Sequence, residues 1–328
     1  MKFRRIDDLP PYVFATVDQL KRELRRDGRD VIDLGFGNPD IPSPGIAVEK
    51  LREAALNPRN HRYSVSRGIE QLRRAVTEHY ERSFGVTLDP ETQVASTIGA
   101  KEGLAHLMWV LVEEGDGVVV PTPAYPIHRV APRLAGATVV TTPADGGVDA
   151  IAEAVHETRP RVVIVSFPHN PTTAVATPED MQRLVDLARE HEFVLVHDFA
   201  YADIAFDGHK PPSILAADGA DECAVELYSL TKSFSMAGWR VGFVLGRADV
   251  VGALAKLKSY LDYGTFQPIQ IASTVTLREA QDYPTEVCEI YRSRRDTLIA
   301  GLGRGGWHVE PPRGTMFVWA PIPEQFRE

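Results

Sequence analysis

Ser229-Leu-Thr-Lys232-Ser-Phe-Ser-Met-Ala-Gly238-Trp239-Arg240-Val-Gly242 sets a lysine among small hydroxyl residues directly after an apolar run, with an arginine eight positions further on. A solvated lysine would be unusual there. Its amine can form an imine with an aldehyde, and the hydroxyls and guanidinium around it can hold a phosphate by charge-assisted hydrogen bonds. Taken alone, the lysine also fits a helix-capping Ser-x-x-Lys turn with an exposed amine. The hydroxyls and Arg240 around it favour the reactive reading.

The run entering this segment, Ala224-Val-Glu-Leu-Tyr-Ser229, has counterparts at Gly117-Val-Val-Val-Pro121, Arg161-Val-Val-Ile-Val-Ser-Phe167, Phe193-Val-Leu-Val-His-Asp198 and Val241-Gly-Phe-Val-Leu-Gly246. None alternates polar with apolar residues, so each reads as a strand buried on both faces, which favours a mostly parallel sheet. Between them, residues 177–192 open on Thr-Pro-Glu-Asp, an N-cap followed by proline in the first turn, and carry Met181, Leu184, Val185, Leu187 and Ala188 on one side. A second helix is expected over residues 101–112, entered at Gly99 and left at Glu113-Glu114-Gly115. Strand, helix, strand is the βαβ pattern, so the expected fold is α/β: a three-layer αβα large domain with a partial smaller α+β domain.

Composition narrows the classes. The chain has 328 residues, 44% hydrophobic and 25% charged, which is an ordinary globular mixture long enough for two domains. Its net charge of -9 gives no electrostatic reason to expect nucleic acid or an anionic membrane as ligand. The longest apolar runs fall far short of the roughly 20 residues a membrane helix needs. The first eight residues, up to Asp8, mix basic and acidic side chains with no apolar stretch following, unlike a secretory signal. Cys223 and Cys288 sit in no metal-ligand spacing, which fits a reducing, cytoplasmic compartment.

Pro10-Pro11, an amphipathic stretch over residues 17–26 and the proline-rich Asn38-Pro39-Asp-Ile-Pro42-Ser-Pro44 read as an arm and linker. The expected divisions are residues 1–45 for this arm and small-domain segment, 46–284 for a large cofactor domain, and 285–328 for an incomplete C-terminal small domain. In the last, Arg292, Arg294 and Arg295 read as a solvated helix face, and Thr315-Met-Phe-Val-Trp-Ala320 as a strand in search of a partner, whose exposure would favour aggregation.

The lysine, hydroxyls and arginine together describe a pyridoxal phosphate site. Gly35-Phe-Gly-Asn-Pro-Asp40, Tyr63-Ser-x-Ser-Arg-Gly68, Gly99-Ala-Lys-Glu-Gly103, Pro123-Ala-Tyr125-Pro, Phe167-Pro-His-Asn170-Pro171-Thr172 and His197-Asp198-Phe-Ala-Tyr201 precede that segment in order. In this order and spacing the chain resembles the class I/II aminotransferases, the fold type I pyridoxal-phosphate enzymes.

The resemblance implies a role for each matching residue. Lys232 would hold the cofactor as an internal aldimine and then carry the proton between the substrate α-carbon and the cofactor C4' carbon. Asp198 would pair with the pyridine nitrogen, and Tyr201 and Asn170 would hydrogen-bond the ring's phenolic oxygen. Tyr125 would stack on the ring. Gly99, Ala100 and Lys101 at a helix start, with Ser229 and Arg240, would hold the phosphate. Tyr63 would reach the neighbouring subunit's phosphate, which makes a homodimer a functional requirement. Gly37, and Asn170 again, would contact substrate. His106, His128, His169 and His197 make no helical ligand pair with a third carboxylate, so they read as pocket edge or packing and no metal is expected.

Arg5-Ile-Asp-x-Leu-Pro-Pro-Tyr-Val-Phe14, His61-x-Tyr-Ser-x-Ser-Arg-Gly68, Lys101-Glu-Gly-Leu-Ala-His106 and Lys258-Ser-Tyr-x-Asp-Tyr-Gly-Thr-Phe266 resemble the bacterial alanine aminotransferase branch, near the diaminopimelate-type enzymes. The implied reaction is L-alanine with 2-oxoglutarate, giving pyruvate and glutamate. Diaminopimelate-type and aspartate substrates stand as alternatives. The family's substrate-carboxylate arginine is expected beyond the last residue, and neither Arg313 nor Arg327 sits in its motif, so the chain reads as truncated. A truncated cofactor-binding remnant with little turnover is therefore the alternative to an active enzyme. A cofactor-dependent transcription regulator is excluded by the want of a basic helix-turn-helix segment.

Overall fold

In a computed structural model the described residues are 1–327 apart from Asp8 and Phe36; these two positions and Glu328 lie outside the description. The chain divides into two compact units, Met1–Pro39 and Asp40–Glu328. The first holds a short helix, Arg4–Asp7, and an amphipathic helix, Val13–Arg26, whose Lys21 lies 2.8 Å from Asp33.

The second unit is built on a seven-stranded sheet: β1 Val94–Thr97, β2 Gly117–Thr122, β3 Thr138–Pro143, β4 Val162–Ser166, β5 Val194–Asp198, β6 Ala224–Ser229 and β7 Gly242–Gly246. Their order is β1-β7-β6-β5-β4-β2-β3. The pairs from β3 through β6 are parallel, and β7 runs antiparallel to both β6 and β1. The reversal follows from the connection. Residues 230–241 hold a four-residue helix, Leu230–Ser233, and a turn, Ala237–Trp239, instead of the long crossover helix that parallel pairing usually requires.

Successive strand residues feed different cores. Val118, Val120, Ile164 and Val196 pack with Leu104, Leu107 and Met108, whereas Val119, Val163, Val165 and Leu195 pack with Met181, Leu184 and Val185. Both faces of the sheet are thus covered by helices, the three-layer arrangement that unbroken apolar strands require. Two strands escape sequence reading. β1 is four residues of mixed polarity, and β3, at the sheet edge, is largely exposed.

The two expected helices form as Ala100–Leu111 and Pro178–Glu190. The second has a full capping box: Thr177 Oγ1 accepts from the Asp180 backbone N–H at 3.2 Å, and Asp180 Oδ2 accepts from the Thr177 N–H at 2.9 Å.

Two expectations are corrected. Residues 315–320 form no strand. Thr315 has φ 70°, which turns the chain out of the extended region, and pairing stops at an isolated bridge between Gly314 and Ala205. Nor is the arginine run wholly solvated. On the helix Tyr283–Arg304, Arg295 is buried, bonded to Asp207 at 2.5 Å and to the Pro312 carbonyl at 3.0 Å. Among the described residues no helix is long and apolar enough to cross a membrane.

The capping box sets a stability test. Thr177→Ala should lower unfolding free energy by about 1 kcal/mol, read from the urea midpoint. An unchanged midpoint would show that Pro178 and helix packing suffice without the cap.

Candidate active site

The C-terminal ends of β1, β2, β4, β5 and β6 lie along one edge of the sheet, with the start of antiparallel β7 among them. In an open α/β sheet that edge is where ligands bind. Each strand end delivers a residue singled out in the sequence, because each motif follows a strand directly.

Ser229 ends β6 and caps the short helix that carries Lys232. Its Oγ accepts from the Thr231 N–H at 3.2 Å and donates to the Val241 carbonyl at 3.1 Å, tying the lysine loop back to β7. Lys232 Nζ lies 5.9 Å from the centroid of the Tyr201 ring. Burial disfavours its charged form and brings the amine from 10.5 down to about 8, within reach of the neutral nucleophile near physiological pH.

Asp198 ends β5 and is buried. Its Oδ2 is 2.8 Å from His128 Nε2, and its Oδ1 accepts from the Ala200 N–H at 3.2 Å. His128 belongs to the helix Pro126–Ala135, which starts directly after Tyr125. It was expected at a pocket edge or in packing, and the structure makes it the direct partner of Asp198. The missed signal is weak: one histidine, 70 residues from its acid, with no local pattern to join them. Tyr125 lies edge-on to His128 with centroids 5.8 Å apart, and Lys101 Nζ lies 5.2 Å from the Tyr125 centroid. His169 is also buried here. Burial first, then the neighbouring His128, pushes it down to about 4, and its Nδ1 is 2.6 Å from Thr172 Oγ1.

Asn170 Nδ2 donates to Tyr201 Oη at 3.5 Å, a long contact that brings both side chains together. Burial, and then the charge of Asp198, raise the Tyr201 pKa well above its ordinary value, so its hydroxyl remains a donor.

Gly99 caps the helix Ala100–Leu111 at φ 79°. A Cβ there would lie 2.4 Å from Arg240 Nη2, and one on Gly242 would lie 2.7 Å from the Ala100 backbone nitrogen. Only glycine permits this approach of β7 and Arg240 to the helix start. Arg240 also donates to the Ala237 carbonyl at 3.0 Å. A helix start, a guanidinium against it and a desolvated amine nearby are a donor set suited to pyridoxal phosphate.

Tyr63 is 90% exposed and packs beside Tyr263 with centroids 5.3 Å apart. Gly37 belongs to the first unit, in a stretch without helix or strand. A histidine–carboxylate grouping does occur, contrary to expectation. Glu102, His106 and Asp262 bring potential ligand atoms within 4.8 Å of one another, and Lys258 Nζ sits 2.9 Å from both acids.

The chain belongs to the aminotransferase class I and II family, which it matches over residues 29–327. It is a pyridoxal-phosphate-dependent transaminase of fold type I. It is 47% identical over 330 residues to the glutamate-pyruvate aminotransferase AlaC of Escherichia coli strain K12, covering 99% of this chain and 80% of that one. To the LL-diaminopimelate aminotransferase of Desulforudis audaxviator it is 44% identical over 325 residues, covering 98% and 83%. The substrate-bound structure of BacF from Bacillus subtilis superposes with a TM-score of 0.93 at 36% identity, covering 100% of this chain and 84% of that one.

The depressed Lys232 pKa predicts a pH-dependent stability effect. Below pH 8 the folded, cofactor-free protein buries a charge that the unfolded chain leaves in water. Lys232→Met should therefore raise the urea midpoint at pH 7. The gain should shrink as pH rises from about 8 towards 10.5, where the amine is neutral in both states. A difference independent of pH would contradict desolvation as the cause.

Proposed function

We propose that the chain transfers an amino group between L-alanine and 2-oxoglutarate, giving pyruvate and glutamate. Its transaminase chemistry is carried by Lys232, an amine made nucleophilic by burial at the end of a parallel strand. The choice of substrate is carried by the similarity to AlaC. The LL-diaminopimelate reading is supported at almost the same identity, by relatives of that name.

Bound pyridoxal phosphate supplies an aldehyde that captures amines and a ring that accepts electrons. Lys232 would hold the cofactor through its amine and, once released, would serve as the base and acid that moves the substrate α-proton. Asp198, oriented by His128, would pair with the pyridine nitrogen. Tyr201 and Asn170 donate to the phenolic oxygen, and Tyr125 covers the ring face. The N–H groups at Gly99, Ala100 and Lys101, with Ser229 and Arg240, hold the phosphate. Asn170 would contact the substrate.

We further propose a homodimer in which Tyr63 completes the partner's phosphate site. Tyr63 and Val65, and Tyr260, Tyr263 and Phe266 in a second stretch, are large hydrophobic side chains left exposed, and Tyr63 meets Tyr263 in space. Such a face marks an interface more often than a solvated surface. Residues 46–284 would form the cofactor domain, flanked by 1–45 and 285–328 as parts of a smaller lobe. The free Cys223 and Cys288 support a cytoplasmic location.

The purified protein loaded with pyridoxal phosphate should form pyruvate from L-alanine and 2-oxoglutarate faster than it consumes LL-diaminopimelate; the opposite order would exchange the two substrate readings. Lys232→Ala should lower turnover by at least about a hundredfold and abolish borohydride-stable attachment of the cofactor to the peptide carrying that position. Mixing Lys232→Ala with Tyr63→Ala chains tests the shared site, because each mixed dimer then retains one intact site. Activity should reappear on mixing. If it does not, Tyr63 serves its own subunit or neither.

A further inference from the structure

Lys258, on the helix Ala248–Leu261, has a side chain with 0% exposure. An ammonium buried to that extent must be matched by charge or it would be lost to neutralisation. It is matched by Glu102 Oε1 and Asp262 Oδ2, each at 2.9 Å. Glu102 lies in the first turn of the helix whose start forms the candidate phosphate cradle. Its other oxygen accepts from the Ile98 N–H at 2.9 Å, while the Ile98 carbonyl accepts from Arg240 Nη2 at 3.4 Å. One residue, immediately before Gly99, is thus held between a carboxylate and the cradle's guanidinium.

This arrangement has a cost. Burial pushes the Glu102 carboxyl up, but His106 and Lys258 outweigh burial and hold it below the ordinary carboxylate range, so it is charged. A carboxylate in that first turn repels any phosphate at the same helix start. Asp262 adds a second negative charge, with its Oδ1 accepting from the Gly264 N–H at 2.6 Å. Gly264, at φ 81°, packs so closely that a Cβ would lie 3.1 Å from the Val65 carbonyl oxygen, two residues from Tyr63. The same lysine therefore ties the cradle to the segment carrying Tyr63.

We propose that Lys258 is a positioning residue for the phosphate cradle. Its ammonium neutralises Glu102, so that the carboxylate can fix the Ile98 peptide, and with it the N–H groups of Gly99, Ala100 and Lys101, without repelling the phosphate. This rests on the reading of that helix start and Arg240 as the cradle.

The test compares the affinities of the cofactor-free protein for pyridoxal phosphate and for pyridoxal, which lacks the phosphate, by spectroscopic titration. Wild type should prefer pyridoxal phosphate. Lys258→Met should weaken pyridoxal phosphate roughly tenfold or more while changing pyridoxal little. Adding Glu102→Gln to Lys258→Met removes the uncompensated charge and should restore most of the preference. Equal weakening of both compounds would overturn the proposal, as would no recovery in the double variant. Should Lys258→Met fail to fold by circular dichroism, Glu102→Gln alone decides: preference retained or increased supports the proposal, and preference lost overturns it. A wild type indifferent to the phosphate would overturn the cradle reading as well. A wild-type preference that Lys258→Met leaves unchanged would overturn the role of Lys258 alone.

Discussion

The bond between Asp198 and His128 organises the candidate site. A carboxyl group buried at the end of an interior strand needs a hydrogen-bond partner, and the partner here comes from beyond the neighbouring strand. β4 lies between β5 and β2 in the sheet, so a bond from the end of β5 to the helix after β2 passes over the end of β4. Tyr125, at the head of that helix, is placed by the same link. Asn170 after β4 meets Tyr201 after β5, and Ser229 at the end of β6 meets Val241 before β7. The catalytic edge is cross-linked strand by strand, and parallel pairing puts all these ends on one side.

Glycine does at the other end of the site what the bond to His128 does at Asp198. Gly242 lets β7 approach the Ala100 backbone within a distance that no side chain would survive, and Gly99 supplies the positive φ at the helix start. The cost of a flexible glycine in the unfolded chain is offset by a helix start open to an anion. Arg240 itself has φ 59°, a left-handed conformation that brings its guanidinium back over Gly99.

Much of this was legible in the sequence. The five apolar runs read as buried strands are strands, since burial on both faces removes the alternation that would otherwise betray orientation. The motif residues fall at their ends because a strand followed by a loop is a local pattern. What escaped was non-local. Nothing near His128 indicates Asp198, nothing near Arg295 indicates Asp207, and Lys258 gains its meaning from Glu102, 156 residues away. The expected strand at 315–320 failed for a different reason. Its composition is strand-like, but a strand exists only in a ladder, and the left-handed turn at Thr315 leaves the residues after it outside one.

Two neighbouring buried acids, Asp198 and Glu226, differ in how fully the chain satisfies them. Glu226, on the adjacent β6, is fully buried and saturated. Its Oε1 accepts from Tyr80 Oη and Ser213 Oγ, and its Oε2 accepts from the Ile214 N–H and faces His197 Nδ1 at 2.7 Å. A carboxylate offers about four acceptor positions, and Glu226 uses all of them within the chain. Asp198 pairs through His128 and the Ala200 N–H, which leaves acceptor capacity at the strand end. His197 and Asp198 are consecutive on β5, so their side chains point to opposite faces, one towards the saturated acid and one towards His128. A purely structural acid is driven to saturation, because each unmet lone pair in the interior costs free energy. An acid held by only part of its capacity keeps room for a further donor.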